Sequence, residues 1–328
     1  MTGALAWARL SFRQQMGTHL RLLWRMHRWD GTFFIGGALL LAAVMMLVAW
    51  QLDASRDTVV ACYAQPAVSL SAECRSAIEW GNLLGGAVGL LGAAATVAPF
   101  AAGIFLGAPL LSREIEHRTA PMAWSLSGSR TSWLVWRTTP LLLLLLVALL
   151  VLGQASGALL ETAEEAELGF RHFGMFGPVL AARGLTVFVI GMLVGLALGR
   201  VLPALLVTAL ATGALVGGLS IGRDMVMREE AVWVPITDQS DTVHMVFDQG
   251  FRDAGGTIVT WEVAYDRNPD AFDPMTGESN VPGMTAVWKI VPPEAFGLYV
   301  AREIGVLVVS FLVVSVATIG VVGARRPE

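Results

Sequence analysis

The chain has 328 residues, 55% of them hydrophobic and 15% charged, with a formal net charge of -4 and a mean hydropathy of +0.63. A water-soluble domain of this length needs far more charged surface, and apolar runs of about 20 residues, the length that crosses a bilayer core, recur along the chain. The composition therefore excludes a single soluble globule and implies an all-α polytopic membrane protein, with lipid as the solvent for much of its surface. Among the basic residues Lys289 is the one lysine. A P-loop needs a lysine behind its glycines to reach nucleotide phosphates, and Lys289 follows Ala286-Val287-Trp288 with no glycine-rich loop. No bound nucleotide or other cofactor is expected in this chain, nor a nucleic-acid partner.

Residues 1–30 hold Arg9, Arg13, Arg21, Arg25 and Arg28, with no acid before Asp30. On a helical wheel Phe12, Met16, Leu20 and Leu23 share one side, while Arg21, Arg25 and Arg28 share another. That pattern predicts a helix lying in the membrane interface with its arginines at anionic headgroups. A signal peptide fits less well, because the apolar run starts late and no small-x-small cleavage site follows it.

Residues 31–221 hold five predicted spans. The first, 31–50, is followed by a polar loop to about Trp80 that carries both cysteines, Cys62 and Cys74. One short segment holding two cysteines predicts a disulfide if it faces an oxidising compartment. The second span, 81–111, is longer than a bilayer requires, which predicts a tilt, a kink near Pro99 or a protrusion into water. A polar stretch, 112–139, leads to the third span, 140–160. The fourth, about 179–199, is separated from the fifth, 202–221, by a tight turn at Arg200. Residues 222–303 form one large polar insertion, and a sixth span with a short tail fills 304–328.

Six spans place both termini, the 112–139 stretch and Arg200 on one side. That side carries more than half of the 22 basic residues but, of the acids, only Asp30, Glu114, Glu116 and Glu328. The positive-inside rule makes it cytoplasmic, with the cysteine segment and the insertion outside. Glycines recur every fourth residue at Gly81, Gly85 and Gly89, at Gly191, Gly195 and Gly199, and at Gly213 and Gly217. Such spacing lets helices approach closely in lipid, either within one bundle or between two chains.

In the insertion, residues 256–266 alternate Thr257, Val259, Trp261, Val263 and Tyr265 against Ile258, Thr260, Glu262 and Ala264, a strand signal. Residues 287–291 read as a returning strand, so a small mixed α/β domain is expected. Asp266, Asn268, Asp270 and Asp273 resemble the start of a calcium loop. Ala271 stands where the turn needs glycine, however, and Gly277 where the loop needs its closing glutamate, so no metal site follows.

In the 112–139 stretch, Glu114, Glu116 and Arg118 offer charges at the end of the long second helix. Met122, Trp124 and Leu126 give a short helix an apolar face, Gly128 breaks it, and Arg130 with Trp133 re-enters the interface. A short amphipathic helix shown between two spans is an element that a partner protein can grip. The chain carries no His-Glu-x-x-His string and few ionisable residues in its spans, Arg183 being one, so intramembrane catalysis is not expected.

These residues resemble ABC-2 type exporter permeases. The likeness rests on Glu114, Glu116 and Thr119 of a Glu-x-Glu-x-x-Thr element, the following Ala-Trp-Ser and Arg-Thr-x-Trp strings, Phe105-Leu-Gly-Ala-Pro109 and Gly199-Arg200-Val-Leu-Pro203. It is weakest over 222–303. The resemblance implies a six-span permease in a bacterial cell membrane, without catalytic residues of its own. Two such chains, alike or different, would pair in lipid and bind two cytoplasmic ABC ATPases that hold the ATP and magnesium. Arg113, Glu114, Glu116, His117, Arg118, Thr119, Met122, Trp124 and Leu126 would form the ATPase-coupling element. ATP-driven closure would move a hydrophobic or amphiphilic substrate outward through a two-state change of the bundle. The same parts also suit a non-transporting sensor or scaffold coupled to an ATPase.

Overall fold

The computed structural model describes residues 12–64, 71–126, 129–164, 170–236, 245–267 and 281–324. Six helices among them are long and apolar enough to cross a membrane. The chain separates into two compact units, one formed by the bundle and the other by residues 166–173 and 216–301.

Helix α1, Phe12–Tyr63, runs unbroken for 52 residues, about 78 Å at the helical rise. The predicted boundary near residue 30 between an interfacial helix and the first span therefore has no break in the backbone. The predicted cysteine loop is also mostly helix. Helix α2, Ala72–Ala102, begins where the Ser71 hydroxyl accepts the Cys74 N–H at 3.1 Å, with Glu73 in the first turn. Both features satisfy or complement the unpaired amides of a helix start. A disulfide joins Cys62 of α1 to Cys74 of α2, with their Cα atoms 5.2 Å apart.

The long second span bends its hydrogen-bond ladder rather than breaking it. Pro99 supplies no N–H, and four residues beyond it a π-helical segment, Gly103–Gly107, precedes α3, Ala108–Glu116. Helix α4, Ala120–Leu126, is short; α5, Arg130–Glu164, is the third span. Helix α6, Gly177–Leu198, is the fourth and the centre of the bundle, with 72% of its apolar stretch buried. The fifth and sixth spans, α7 (Val201–Glu230) and, at the chain's end, Phe296–Ala324, bury only 17% and 11% of theirs.

Glycine decides how closely the centre packs. A Cβ on Gly191 would lie 2.8 Å from the Ala108 nitrogen, and one on Gly103 would lie 2.7 Å from Val187 Cγ1. Gly195 and Gly107 likewise leave no room for a side chain, against the Ala108 and Phe188 carbonyls. The π segment and α6 therefore meet backbone to backbone. Gly199 has another role: it caps α6 in the left-handed region at φ +64°, donating its N–H to the Gly195 carbonyl. Gly81 faces Val59, while Cβ atoms on Gly85, Gly89, Gly213 and Gly217 would meet nothing within 4 Å among the described residues.

A buried polar link ties the fourth span to the sixth. Arg183 Nε donates to Glu303 Oε1 at 2.7 Å, and Nη1 to the Gly174 carbonyl at 3.3 Å. The Thr186 hydroxyl, one turn along, shares its proton between the Ala182 carbonyl of its own helix at 2.8 Å and the Leu307 carbonyl of the sixth span at 3.2 Å. Gly174 adopts φ +81° with the guanidinium packed against it, so a side chain there would strain the backbone and push Arg183 aside.

The second unit holds a four-stranded antiparallel sheet in the order β1-β4-β2-β3: β1 Val232–Pro235, β2 Val246–Arg252, β3 Ile258–Thr260 and β4 Thr285–Ile290. The predicted return strand is β4. The alternating run 256–266, however, is a strand only over β3 and then becomes helix α8, Trp261–Arg267. From Trp261 the period changes to three: Trp261 and Ala264 share one side, and Trp261 meets Phe251 edge-on with ring centres 5.0 Å apart. Helix α7 also continues nine residues past the predicted end of its span, and Met227 there packs with Phe170, Phe173 and Tyr299. Asn268, Asp270 and Asp273 of the calcium-like string lie outside the described residues. The sixth span, Phe296–Ala324, is hereafter α9.

Candidate functional site: the segment between the second and third spans

Helix α3 ends in a tight, fully bonded turn. His117 N–H reaches the Arg113 carbonyl at 3.0 Å, Arg118 N–H the Ile115 carbonyl at 3.0 Å, and Thr119 N–H the Glu114 carbonyl at 2.9 Å. This is a Schellman ending. Its left-handed position, usually glycine, is Arg118 at φ +57°, the one non-glycine residue with positive φ among those described. The Thr119 hydroxyl also donates to the Glu114 carbonyl, at 3.2 Å, and the Thr119 carbonyl accepts the Ala123 N–H at 3.1 Å, which starts α4. Thr119 thus closes one helix and opens the next.

Aromatic and charged groups seat α4 on the start of α5. The Trp124 and Trp133 rings meet edge to face at 6.0 Å, and the Arg130 guanidinium lies 5.1 Å from the Trp124 ring centre. Arg137 lies 5.8 Å from the Trp133 ring centre and forms a buried ion pair with Glu114. Two carbon-lined helix ends are therefore joined by one charge pair. Glu116, two residues further on, is exposed, and its Oε2 accepts the Val201 N–H at the start of α7 at 2.9 Å.

The predicted site residues thus divide. Glu114 and Trp124 turn inward. Arg113, His117, Arg118 and Thr119 are exposed, as is Met122 at 69%. Leu126 ends α4. Reversing the charge of Glu114 would break this chain's own packing before it disturbed a partner. Two members escape a reading of the sequence. Arg137 was a detectable one, because an arginine inside an apolar helix requires a counter-charge. The Val201 amide was not, since a backbone donor leaves no trace in residue type. A Gly-x-Ser-x-Gly string at residues 218–222 lies inside helix α7 and not at the strand-to-helix turn that exposes a nucleophilic serine.

Six helices long and apolar enough to cross a membrane, with a folded segment held between the second and third spans and a small sheet domain before the sixth, define a multi-pass membrane protein. The family described as ABC-2 membrane transporter related matches residues 35–221, more than half of the chain, and the chain belongs to that family. The family is one of permease components of ABC transporters, generally non-catalytic membrane subunits that associate with an ABC ATPase. The match takes in the first five spans and the 112–139 stretch and stops where the polar insertion was expected to start. No curated protein and no solved structure matches the chain significantly.

Proposed function

We propose that the chain is the membrane-spanning subunit of an ATP-driven bacterial exporter, with its ATPase on a separate chain and residues 112–139 as the coupling element. What carries the reading is the exposed set Arg113, His117, Arg118 and Met122, set on a base that Glu114, Arg137, Trp124 and Trp133 hold rigid. Exposed arginines and an exposed methionine within one short segment suit a groove with acidic edges. Placing this segment and both termini in the cytoplasm follows the arginine bias. The disulfide between Cys62 and Cys74 accords with the opposite ends of those spans facing an oxidising compartment. The cargo is hydrophobic or amphiphilic, in keeping with spans that carry few charges. Two copies, or this chain and a paralogue, make the conduit, and the open glycines Gly85 and Gly89 offer a close approach for the second chain.

The folded sheet domain also suits a sensor that reports to an ATPase without transport, and vesicle uptake assays separate the two. The test of the main reading is co-purification with the ABC ATPase encoded beside it, for wild type and for Arg113→Glu/Arg118→Glu. Wild type is expected to form an ATP-hydrolysing complex that the reversals break. A complex indifferent to the reversals would remove the segment from the interface.

A further inference from the structure

We propose that Glu116 is a positioning residue that hands movement of the coupling segment to the fifth span, and is not itself a contact for the ATPase. The inference rests on the permease reading above and assigns one residue within it a different role.

Glu116 is the last residue of α3, immediately before the turn into α4. Its carboxylate accepts a hydrogen bond from the first amide of α7, 85 residues later in sequence. The leading amides of a helix have no partner within it and carry partial positive charge, so a carboxylate there is held by both the hydrogen bond and the helix dipole. The two ends of this link are themselves stiff: the Schellman turn fixes Glu116 relative to α4, and left-handed Gly199 fixes Val201 relative to α6.

The other attachments of the segment lead elsewhere. Glu114 connects it to α5 through Arg137, and the glycine contacts of residues 107 and 108 connect it to α6. Helix α7 is held differently: among the described residues, it contributes nothing to the bundle's main apolar cluster. With so little apolar packing against the bundle, this helix depends for its position on what holds its start: the Gly199 turn from α6 and the Glu116 bond. Glu116 is also exposed to water, so the bond can break and re-form without burying an unpaired charge, as the Glu114 pair cannot. A remakeable link to the most loosely packed neighbour is the natural place for transmission.

The experiment uses the full chain in lipid nanodiscs with its ATPase, comparing wild type, Glu116→Gln and Glu116→Ala by amide exchange over residues 201–206, with and without ATP and vanadate. Glu116→Ala is expected to capture the ATPase at wild-type stoichiometry and to raise exchange at the start of α7 by about tenfold, the scale of one lost helix cap. The ATP-dependent change in exchange along α7 is expected to vanish in it. Glu116→Gln, which keeps an acceptor oxygen, is expected to retain most of that change. A merely structural role would raise exchange without selectively removing its response to ATP. A folded Glu116→Ala or Glu116→Gln chain that no longer captures the ATPase would make Glu116 a docking contact and overturn the proposal, as would an unchanged ATP response in Glu116→Ala. If wild type captures no ATPase, the permease reading falls and the transmission role falls with it, and the exchange of the free chain still reports whether the cap exists.

Discussion

Removing one member of the Glu114–Arg137 pair should cost far more than removing both. The two side chains are 11% and 9% exposed, and each is the other's counter-charge across α3 and α5. Glu114→Ala leaves a buried guanidinium without its carboxylate, a loss of about 3–5 kcal/mol for pairs of this kind. Arg137→Ala strands the carboxylate and also removes the stacking on Trp133, a further contribution of about 0.5–1 kcal/mol. Glu114→Met/Arg137→Met replaces charge by apolar volume, which for buried pairs is often neutral or stabilising. The double variant should therefore lie within about 2 kcal/mol of wild type, giving a large favourable coupling in the double-mutant cycle. Reversible unfolding in micelles, followed by tryptophan emission, reads all four proteins, since the Trp133 ring lies beside Arg137. Single variants near wild type, or a double variant equal to the sum of the singles, would refute this account of how the segment is held.

Arg118→Gly relieves a left-handed arginine and should raise stability by about 1 kcal/mol, while weakening ATPase capture if Arg118 is part of the interface; melting and co-purification measure the two effects. Gly195→Val pushes a side chain into the Ala108 backbone and should destabilise by about 3 kcal/mol, whereas Gly85→Ala should leave an isolated chain within about 1 kcal/mol of wild type. Replacing Cys62 and Cys74 by alanine opens a loop of 12-residue separation and should cost about 3 kcal/mol under oxidising conditions only; the same melts with reductant should show no difference from wild type. The exchange Arg183→Glu/Glu303→Arg should recover part of what either single reversal loses, read as the midpoint of unfolding in micelles.

Much of this architecture is legible in the residues themselves. Lipid as solvent makes long apolar runs unambiguous, so the number of spans, six, could be read from the residues, and each expected span overlaps one long apolar helix. Their ends were less legible, because helix continues wherever capping and propensity allow: α1 reaches Tyr63 through Asp53, Arg56 and Asp57, residues that hydropathy reads as loop. Residues 256–266 misled because Val259, Trp261 and Val263 satisfy a two-residue period while Trp261 and Ala264 also satisfy a three-residue one; packing on Phe251 decided between them. In the coupling segment, residue types gave the charged and apolar members but not their partners. Whether Glu114 points to solvent or to Arg137 depends on how α3 meets α5, and residue types within one segment do not carry that geometry. The glycine pattern announced close packing. Only the positions of the neighbours separate the glycines that serve the bundle's interior from Gly85, Gly89, Gly213 and Gly217, which remain open.

The most direct test of the central claim is photo-crosslinking from a benzophenone amino acid at Met122 in nanodiscs holding the chain and its ATPase, with the same probe at Leu298 as the comparison. The account predicts an ATPase adduct from position 122 and none from 298. An intact complex that crosslinks from 298, or never from 122, would contradict both the coupling role of the segment and the orientation drawn from the arginines.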